Sequence, residues 1–448
     1  MRSITHNARS RPRWTASLLA LGLMVGVSGC DSWLAVDNPN QIAGSDTELP
    51  VAAEGLANGA MATVMQGYSN ILTAYSTVTD ELDWVGSRDA FQQLDFGNMD
   101  NPYNEFTDDE FRFIAQGRWM ADYAVGIMEA HDANGDLADR TNLARAYVYS
   151  AVAYIIIADM FDDFVVESDR QTAAPPVGEA NMGGLYDLAI TKLTSAMAIA
   201  TAEGDADLAT AAQALRARAH HAKAVWGLVG QRPISTGTVS SASAVADAQA
   251  VIADVADSDW NYGFQYSGST IGSTIASWVN SRQEMKQGAR YATQDGTKPT
   301  ISGFHLEDLI DAGTVSPILE VLGDEFHDNF YPFAPLVSER EMYLIIAEDA
   351  LTGGNMAGFE TAINNLRGLD GLTDFANGGA GMPTALALLN HSRMTNLYLQ
   401  GRRLADMYRF NDPDPMWDAG STAVTAPGTF LPITVIECRA NEHINDSC

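Results

Sequence analysis

The chain has 448 residues, of which 57 are acidic and 26 are basic, so its formal net charge at pH 7 is −31. A surface this acidic repels phosphate backbones, and we expect no nucleic-acid partner. The length exceeds that of a single small core, and no long Pro, Ser or Gly linker divides the chain. We therefore expect one large body with two lobes.

The start of the chain has the pattern of a secretory signal peptide. Four arginines precede an apolar run from Trp14 to Val27, which ends in the small residues Ser28 and Gly29. The run is about fifteen residues long, whereas a membrane span needs roughly 20. We expect residues 1–29 to be a signal peptide, and no later segment to be long and apolar enough to span a membrane.

The end of this leader resembles the lipobox of bacterial lipoproteins. Small residues precede a cysteine in Val27-Ser28-Gly29-Cys30. The resemblance implies that cleavage leaves Cys30 as an acylated N-terminus and residues 30–50 as a lipidated tether. The two or three acyl chains it implies would anchor the protein durably, at about 0.8 kcal/mol per buried methylene. The alternative is a plain signal peptide with an incidental cysteine.

Several later stretches carry apolar residues at the three-and-four spacing of a half-buried helix. Predicted helices cover residues 141–161, 184–201, 206–229 and 242–256. Strand-like sequence is limited to residues 428–436 and part of 231–243. These patterns predict a mainly α protein.

Two further predicted helices, 336–351 and 356–368, are separated only by Gly353-Gly354-Asn355. A turn this short requires the two helices to pack antiparallel. The pair resembles a tetratricopeptide-type hairpin, although the period along the chain is irregular. The expected fold is a set of degenerate tetratricopeptide-like helical hairpins in one large two-lobed body, with long loops and a few short strands.

The common catalytic motifs HExxH, GxxxxGK[ST] and GxSxG do not occur in the sequence. Residues 132–136 (DANGD) resemble a calcium loop, but the glycine is at the fourth position and Leu143 occupies the twelfth. A turn between helices, with Asp139 or Thr141 as the next N-cap, accounts for this segment. We expect neither metal nor cofactor, and no catalytic residues.

Two pairs of residues, one of histidines and one of cysteines, are considered as a metal site and as a disulfide. His220 and His221 are adjacent on a predicted helix and point about 100° apart, so they cannot share a metal on one face, and we expect them to be partly exposed. Cys438 and Cys448 are a possible disulfide pair in an oxidising compartment. Two free thiols near the end of the chain are the alternative.

Three separated stretches resemble lipoproteins of the SusD/RagB family. The mature N-terminus, residues 30–40, resembles the family's opening of cysteine, leucine, acid and proline. Residues 144–161 resemble its early RA-aromatic helix. The C-terminal signatures follow in the expected order: residues 339–350 are similar to "R-x-x-E-x-x-L-x-x-AEA", 362–367 to "A-x-x-x-x-N-x-x-R", 401–410 to "EGxRxxDLxRW" and 431–441 to "PIPxxE…N".

The arginine and acid pattern within 401–410 needs no catalytic role. Arg402 and Asp406 are four residues apart, and Asp406 and Arg409 are three apart, so they can pair along one helical face. We interpret these residues as structural. The resemblance divides the SusD-like body, 51–448, into an N-terminal part at roughly 51–230 and a C-terminal part at 290–448.

The resemblance implies a function in binding, not in catalysis. Members of this family lie on the outer face of the outer membrane, anchored by lipid. There they bind glycans, oligosaccharides or peptides and pass them to a SusC-like TonB-dependent transporter. The resemblance thus implies an outer-membrane, surface-facing lipoprotein for nutrient uptake, with that transporter and outer-membrane lipid as its partners.

Sugar ligands favour flat aromatic rings beside amides and carboxylates on loops of a rigid scaffold. Two loop-like stretches have this mixture, and two further aromatic residues are possible contacts. The expected ligand-binding residues are Asp83, Trp84, Arg88, Trp260, Asn261, Tyr262, Trp278 and Tyr291.

Two other classes of function remain open. An envelope-assembly or scaffolding lipoprotein without a small-molecule ligand would explain the anchor and the alanine-rich helices. It would not predict the signatures between Glu339 and Asn441. An extracellular hydrolase would need an acid pair in a cleft.

Overall fold

The computed structural model describes residues 44–166, 172–255, 258–294, 301–326 and 329–444. The expected signal peptide, Cys30 and most of the tether lie outside these residues, as does Cys448. The fold is mainly α, as the sequence predicts. The α-helices are α1 Gly44–Thr47, α2 Ala53–Val78, α3 Asp89–Asp95, α4 Glu105–Asn134, α5 Thr141–Met160, α6 Gly183–Glu203, α7 Ala206–Val229, α8 Ala242–Val255, α9 Thr274–Ala276, α10 Pro317–Phe326, α11 Glu339–Thr352, α12 Met356–Leu369, α13 Ala385–Asn396, α14 Arg403–Phe410, α15 Thr422–Thr425 and α16 Val435–Ala440.

The strands are short and form antiparallel pairs, not an extended sheet. Strand β1 (Leu82–Trp84) pairs with β3 (Met285–Gln287), β2 (Asn261–Gln265) with β6 (Phe333–Ser338), and β4 (Ala292–Gln294) with β5 (Ile301–Phe304). A two-stranded ladder is marginal by itself, so helix packing must stabilise each pair. The turns also include 3₁₀ segments at Pro50–Ala52 and Glu179–Asn181, and a π-helical turn at Ser277–Ser281.

Two long helices that the sequence pattern did not predict, α2 and α4, pack closely through glycine. A Cβ on Gly67 would lie 2.8 Å from the Cα of Ile114, and one on Gly117 would lie 2.9 Å from the carbonyl oxygen of Thr63. Each glycine therefore allows the backbone of the partner helix to approach. Asn104 caps the start of α4 by accepting hydrogen bonds from the backbone N–H groups of residues 106 and 107.

Helices α5 to α8 agree with the predicted segments to within two residues at each end. Among the described residues, α5 is long and apolar enough to cross a membrane, so the expectation that no segment after the leader has these properties is wrong. Its most apolar stretch is 83% buried within the protein. α5 is therefore a core helix, because other parts of the protein surround it on nearly all sides.

Helices α11 and α12 form the predicted antiparallel hairpin. They share a hydrophobic cluster that includes Tyr343 and Ala347 from α11 and Phe359 and Ile363 from α12. The predicted start of α11 at residue 336 is wrong, because residues 333–338 form β6. The side chain of Ser338 accepts a hydrogen bond from the backbone N–H of Glu341 and caps the helix there.

The strands predicted at 428–436 and within 231–243 are wrong. In the first segment, Leu431 forms an isolated bridge with Phe161, and α16 begins at Val435. The second segment is an irregular loop that leads into α8. In the first segment the prediction rested on apolar content. Its apolar side chains pack into the core, but its backbone forms no strand ladder. The described residues from Leu49 onward form one compact unit.

Candidate functional site

The ladder of β1 and β3 positions the first group of expected ligand-binding residues. Asp83 pairs in register with Lys286, and Trp84 with Met285. The carboxylate of Asp83 is 7% exposed and accepts a hydrogen bond of 2.9 Å from the backbone N–H of Ala289. The Trp84 ring is half-buried against the core. Asp83 therefore supports the backbone, while Trp84 keeps part of its ring at the surface.

Glu284 holds the loop after β1 in place. Its carboxylate accepts hydrogen bonds from the Ser87 backbone N–H (2.6 Å), the Ser87 hydroxyl (3.0 Å) and the Arg88 backbone N–H (3.0 Å). Gly86 makes this approach possible, since a Cβ there would lie 1.9 Å from a Glu284 carboxylate oxygen. The loop that carries Arg88 is thus attached to the segment just before β3.

The same segment carries Trp278. The backbone N–H of Glu284 donates to the carbonyl of Trp278 at 3.0 Å. The Trp278 ring packs edge-on against Phe91 and Phe106, with ring centroids 5.1 and 5.2 Å away, and these two phenylalanines stack at 3.6 Å. Edge-to-face packing of this kind fixes the indole orientation while leaving the ring half-exposed.

Arg282 borders this ring, and Arg88 lies on the neighbouring loop that Glu284 holds. The guanidinium of Arg282 lies 5.1 Å from the Trp278 ring centre, within the range of a cation–π contact. Arg88 lies 3.8 Å from Glu105, and both side chains are largely exposed. We name the area formed by Ser87, Arg88, Glu105, Trp278 and Arg282 the Trp278 surface. It combines an oriented aromatic ring with exposed hydrogen-bond donors.

The second predicted group belongs to a different ladder, that of β2 and β6. Asn261 is exposed and pairs in register with Ser338. Trp260 is half-buried; its backbone N–H donates to Glu339 at 3.3 Å, and its carbonyl accepts from the Glu339 N–H at 2.8 Å. Burial, followed by the neighbouring Tyr149, raises the pKa of Tyr262 well above its usual range. Tyr262 is half-buried, and its side chain interacts with the buried Tyr149.

Tyr291 is fully buried. Its hydroxyl donates to Asp80 at 3.4 Å, and its ring packs against Tyr398 at a centroid distance of 4.7 Å. A ligand at the surface cannot reach this ring without rearrangement of the core. The structure therefore brings Trp84, Arg88 and Trp278 to one region. It places Asn261 on another ladder, with Trp260 directly before it, and makes Tyr291 part of the interior.

Sequence reasoning missed Glu284, Arg282 and the Phe91–Phe106 stack. Arg282 had a local signal, because it follows Trp278 by four residues on a helical turn. Glu284 had none, since its partners Ser87 and Arg88 are 197 and 196 residues away in the chain.

The charged residues of α14 form buried ion pairs, consistent with their structural interpretation. Arg409 pairs with Asp406 at 2.8 Å, as the sequence spacing suggests. Arg402 instead pairs with Glu341 of α11 at 3.2 Å, and Asp406 pairs with Arg393 of α13 at 2.8 Å. The tertiary partners prevail because burial of either charge without a close opposite charge is costly.

His221 corrects a further expectation. It is 5% exposed, not partly exposed, and its Nε2 lies 3.0 Å from Glu348. Glu348 also binds Arg409 at 3.1 Å. Burial by itself would raise the pKa of Glu348, but the charge of Arg409 holds it well below its ordinary value. His221 thus contacts the interior network of Glu348 and Arg409.

Cys438 is disulfide-bonded and 4% exposed. Because Cys448 lies outside the described residues, its pairing with Cys438 stays a prediction. The lipid-attachment site Cys30 also lies outside them. The expected turn after α4 is present, with Gly135 in a left-handed conformation. The expected N-cap is wrong: Arg140, not Asp139 or Thr141, is the N-cap of α5, although Asp139 accepts from the backbone N–H of Thr141 at 2.9 Å.

Comparison with known proteins identifies the architecture. No protein-family model matches the sequence. No curated protein matches it either. Among solved structures, a SusD superfamily protein from Bacteroides thetaiotaomicron matches with a TM-score of 0.60 at 13% identity, over 88% of this chain and 98% of that chain. One from Parabacteroides distasonis matches with a TM-score of 0.57 at 14% identity, over 88% and 98%.

A SusD-like carbohydrate binding protein from Bacteroides vulgatus matches with a TM-score of 0.54 at 13% identity, over 82% of this chain and 84% of that chain. These matches extend over nearly the whole of each protein, so they concern the complete helical body and not one hairpin. The chain therefore has the SusD-like fold, which its sequence signatures also indicate.

Proposed function

We propose that this protein is a cell-surface lipoprotein that binds glycans and delivers them to a SusC-like TonB-dependent transporter. The shared fold with a SusD-like carbohydrate binding protein supports the glycan part of this proposal. The leader and the lipobox-like segment before Cys30 support the membrane anchor. A tether raises the local concentration of a receptor beside its transporter without any new contact.

The observation that carries the proposal is the orientation of Trp278. Sugar rings have an apolar C–H face that packs on a flat aromatic ring, and hydroxyl groups that need donors and acceptors nearby. Trp278 supplies the ring, held by Phe91 and Phe106. Arg282 supplies donors at its border, and Arg88 supplies donors on the loop that Glu284 holds. Because the Glu284 contacts are already formed, little ordering is needed when a ligand binds.

The same geometry favours binding over catalysis. Hydrolysis of a glycosidic bond needs two carboxyl groups that face the substrate as acid and base or nucleophile. At the Trp278 surface, Glu284 accepts three hydrogen bonds from the neighbouring loop, and Glu105 lies beside Arg88. These carboxylates are committed to holding the surface together. We propose that the ligand leaves chemically unchanged.

Trp278→Ala tests the binding site. We expect it to weaken retention in polysaccharide-containing native gels at least about tenfold, which corresponds to 1.4 kcal/mol. Trp119→Ala is a matched control, because Trp119 is also half-buried and stacks on an aromatic neighbour, Tyr123, at 5.2 Å. Trp260→Ala tests the second predicted loop. Unchanged retention in Trp278→Ala, with a folded variant, would contradict the proposed site.

The anchor and the transporter need a separate experiment. In the producing cells, palmitate labelling should depend on Cys30, so Cys30→Ser should lose the label and leave the outer-membrane fraction. Detergent extracts of outer membranes should yield the protein together with a TonB-dependent barrel. Label that persists in Cys30→Ser would show that the lipid is attached elsewhere, and purification without any barrel would contradict the delivery step.

A further inference from the structure

A cavity of about 220 Å³ lies beside the second predicted loop, between α10 and the ladder of β2 and β6. We name it the α10 pocket. Its apolar wall consists of Ile318, Val321 and Leu322 from α10 together with Phe333 and Pro335 from β6. Its polar side carries Asn261, Ser338 and Gln400. The pocket is thus apolar on one side and hydrogen-bonding on the other.

The charged residues at the pocket neutralise each other. Arg340 donates to Asp259 at 2.7 and 2.8 Å. Its remaining N–H groups donate to Asp370 at 2.8 and 2.9 Å and to Asn396 at 3.1 Å. All five donors of this guanidinium are therefore used within the protein. Among the described residues that line this pocket, no further cation is available to an anionic ligand, which favours an uncharged occupant.

Gln400 provides an unsatisfied acceptor at the pocket. Its side chain is 1% exposed, and its Nε2 donates to the carbonyl of Asn396 at 3.1 Å. Its Oε1 has no hydrogen-bond partner within the part of the chain that the structure describes. A buried acceptor left unpaired costs about 1–3 kcal/mol, and a ligand donor that reached it would recover that free energy.

We propose that the α10 pocket binds a single uncharged, hydroxyl-bearing ring, such as one sugar unit. A pyranose ring has an apolar face for the α10 wall and hydroxyl groups that donate to Gln400 and accept from the Asn261 amide. The volume is below the roughly 300–1,000 Å³ of pockets for drug-sized ligands, as expected for one ring. A purely apolar side chain would fill the wall but leave Gln400 unpaired.

This site goes beyond the proposed function, because it is separate from the Trp278 surface. The α10 pocket adjoins the ladder of β2 and β6, whereas the Trp278 surface is built on the ladder of β1 and β3. A protein with both sites would hold a single sugar unit independently of the glycan at the Trp278 surface.

Val321→Trp tests the pocket directly. Val321 is 58% exposed on α10, so a larger side chain can enter the pocket without disrupting the core. The probes are the methyl glycosides of glucose, galactose, mannose and N-acetylglucosamine, observed by saturation-transfer NMR with the mature chain. We expect at least one glycoside to receive saturation, and Val321→Trp to reduce it about tenfold. Val424→Trp, at another exposed valine outside the pocket, should leave it unchanged.

Two further variants separate the possible outcomes. Gln400→Met keeps the side-chain length but removes the acceptor, and should weaken the same signal. Trp278→Ala should leave it intact, so a failure at the Trp278 surface does not affect this result. The inference is overturned if no glycoside receives saturation, if Val321→Trp and Gln400→Met leave the transfer unchanged, or if N-acetyl-leucinamide binds the pocket and the glycosides do not.

Discussion

Arg403 donates two hydrogen bonds of 2.7 Å to Asp80, although the residues are 323 positions apart in the chain. Each side chain is 2% exposed. Asp80 lies between α2 and β1, and Arg403 begins α14, so the pair joins the N-terminal helices to the C-terminal signature helix. Arg290 and Asp412 complete the group, with distances of 2.8 to 2.9 Å. The bidentate geometry orients both elements.

Arg403→Met is expected to reduce the free energy of unfolding by about 3–5 kcal/mol, because it leaves Asp80 buried with less compensation. Arg290 moderates the loss by retaining one contact with Asp80. Urea denaturation followed by circular dichroism measures the change.

A surface pair serves as the control for this prediction. Lys223 lies 2.6 Å from Asp187, and their side chains are 42% and 58% exposed. Lys223→Met should change the free energy of unfolding by less than about 1 kcal/mol, since water screens the pair. Equal losses in the two variants would contradict the expectation that the buried pair contributes more to stability than the exposed pair.

The buried carboxyl of Asp95 is expected to make stability depend on pH. Burial first, and then the charges of Asp83 and Asp414, raise its pKa from 3.8 to about 8. The folded protein therefore holds this proton more tightly than the unfolded chain does. The contribution of Asp95 to the free energy of unfolding is fully present below about pH 4. It is lost as the pH rises through about 8, by up to about 1.4 kcal/mol per pH unit.

Asp95→Asn removes this titration, so its free energy of unfolding should fall less steeply between about pH 5 and pH 8 than that of the unchanged protein. Urea titrations at several pH values give both slopes. Asp89→Asn, at an exposed position on the same helix, should retain the original slope. A slope in Asp95→Asn as steep as in the unchanged protein would show that Asp95 does not titrate in this range.

Gly86→Ala should disrupt the Trp278 surface without touching the ring. The new Cβ would lie 2.7 Å from the Cα of Glu284, so the loop and the Glu284 segment must separate. We expect a clear loss of glycan retention together with lower stability. Gly55→Ala on α2 meets no atom within 4 Å and should stabilise the helix by about 0.5–1 kcal/mol. Full glycan retention by Gly86→Ala would mean that the Glu284 contacts are not needed.

Arg282→Ala tests the donors around Trp278. We expect glycan affinity to fall severalfold with little change in melting temperature, because the side chain is exposed. Arg112→Ala is the matched control: Arg112 is likewise exposed and lies 4.6 Å from an aromatic ring centre, that of Phe113. The role of Arg282 as a donor is refuted if both variants bind the glycan as well as the unchanged protein.

Much of the helical architecture followed from local patterns. Regularly spaced apolar residues predict the segments of α5 to α8, and Gly204 and Gly230 mark the ends of α6 and α7. The hairpin of α11 and α12 followed from the short turn at 353–355. α2 was missed, because it is buried along most of its length and so lacks an alternating polar face.

The binding residues were less accessible to sequence reasoning. The mixture of aromatic and charged residues in one loop predicts Trp84 and Arg88, and Trp278 is a further aromatic candidate; the structure brings these three to one region. Tyr291 was chosen on the same grounds but is fully buried. Composition cannot distinguish these cases, because an aromatic residue suits a core and a binding surface equally.

The linear order of residues specified the acidic composition, most helices and the signatures of the fold, because those properties depend on composition or on neighbours within a few turns of the chain. Long-range packing decided the rest. The contacts of Glu284 with Ser87, of Arg403 with Asp80 and of Arg402 with Glu341 connect positions 61 to 323 residues apart. A buried charge needs an opposite charge close by, because the interior has a low dielectric constant. Only the folded chain determines which residue supplies that charge.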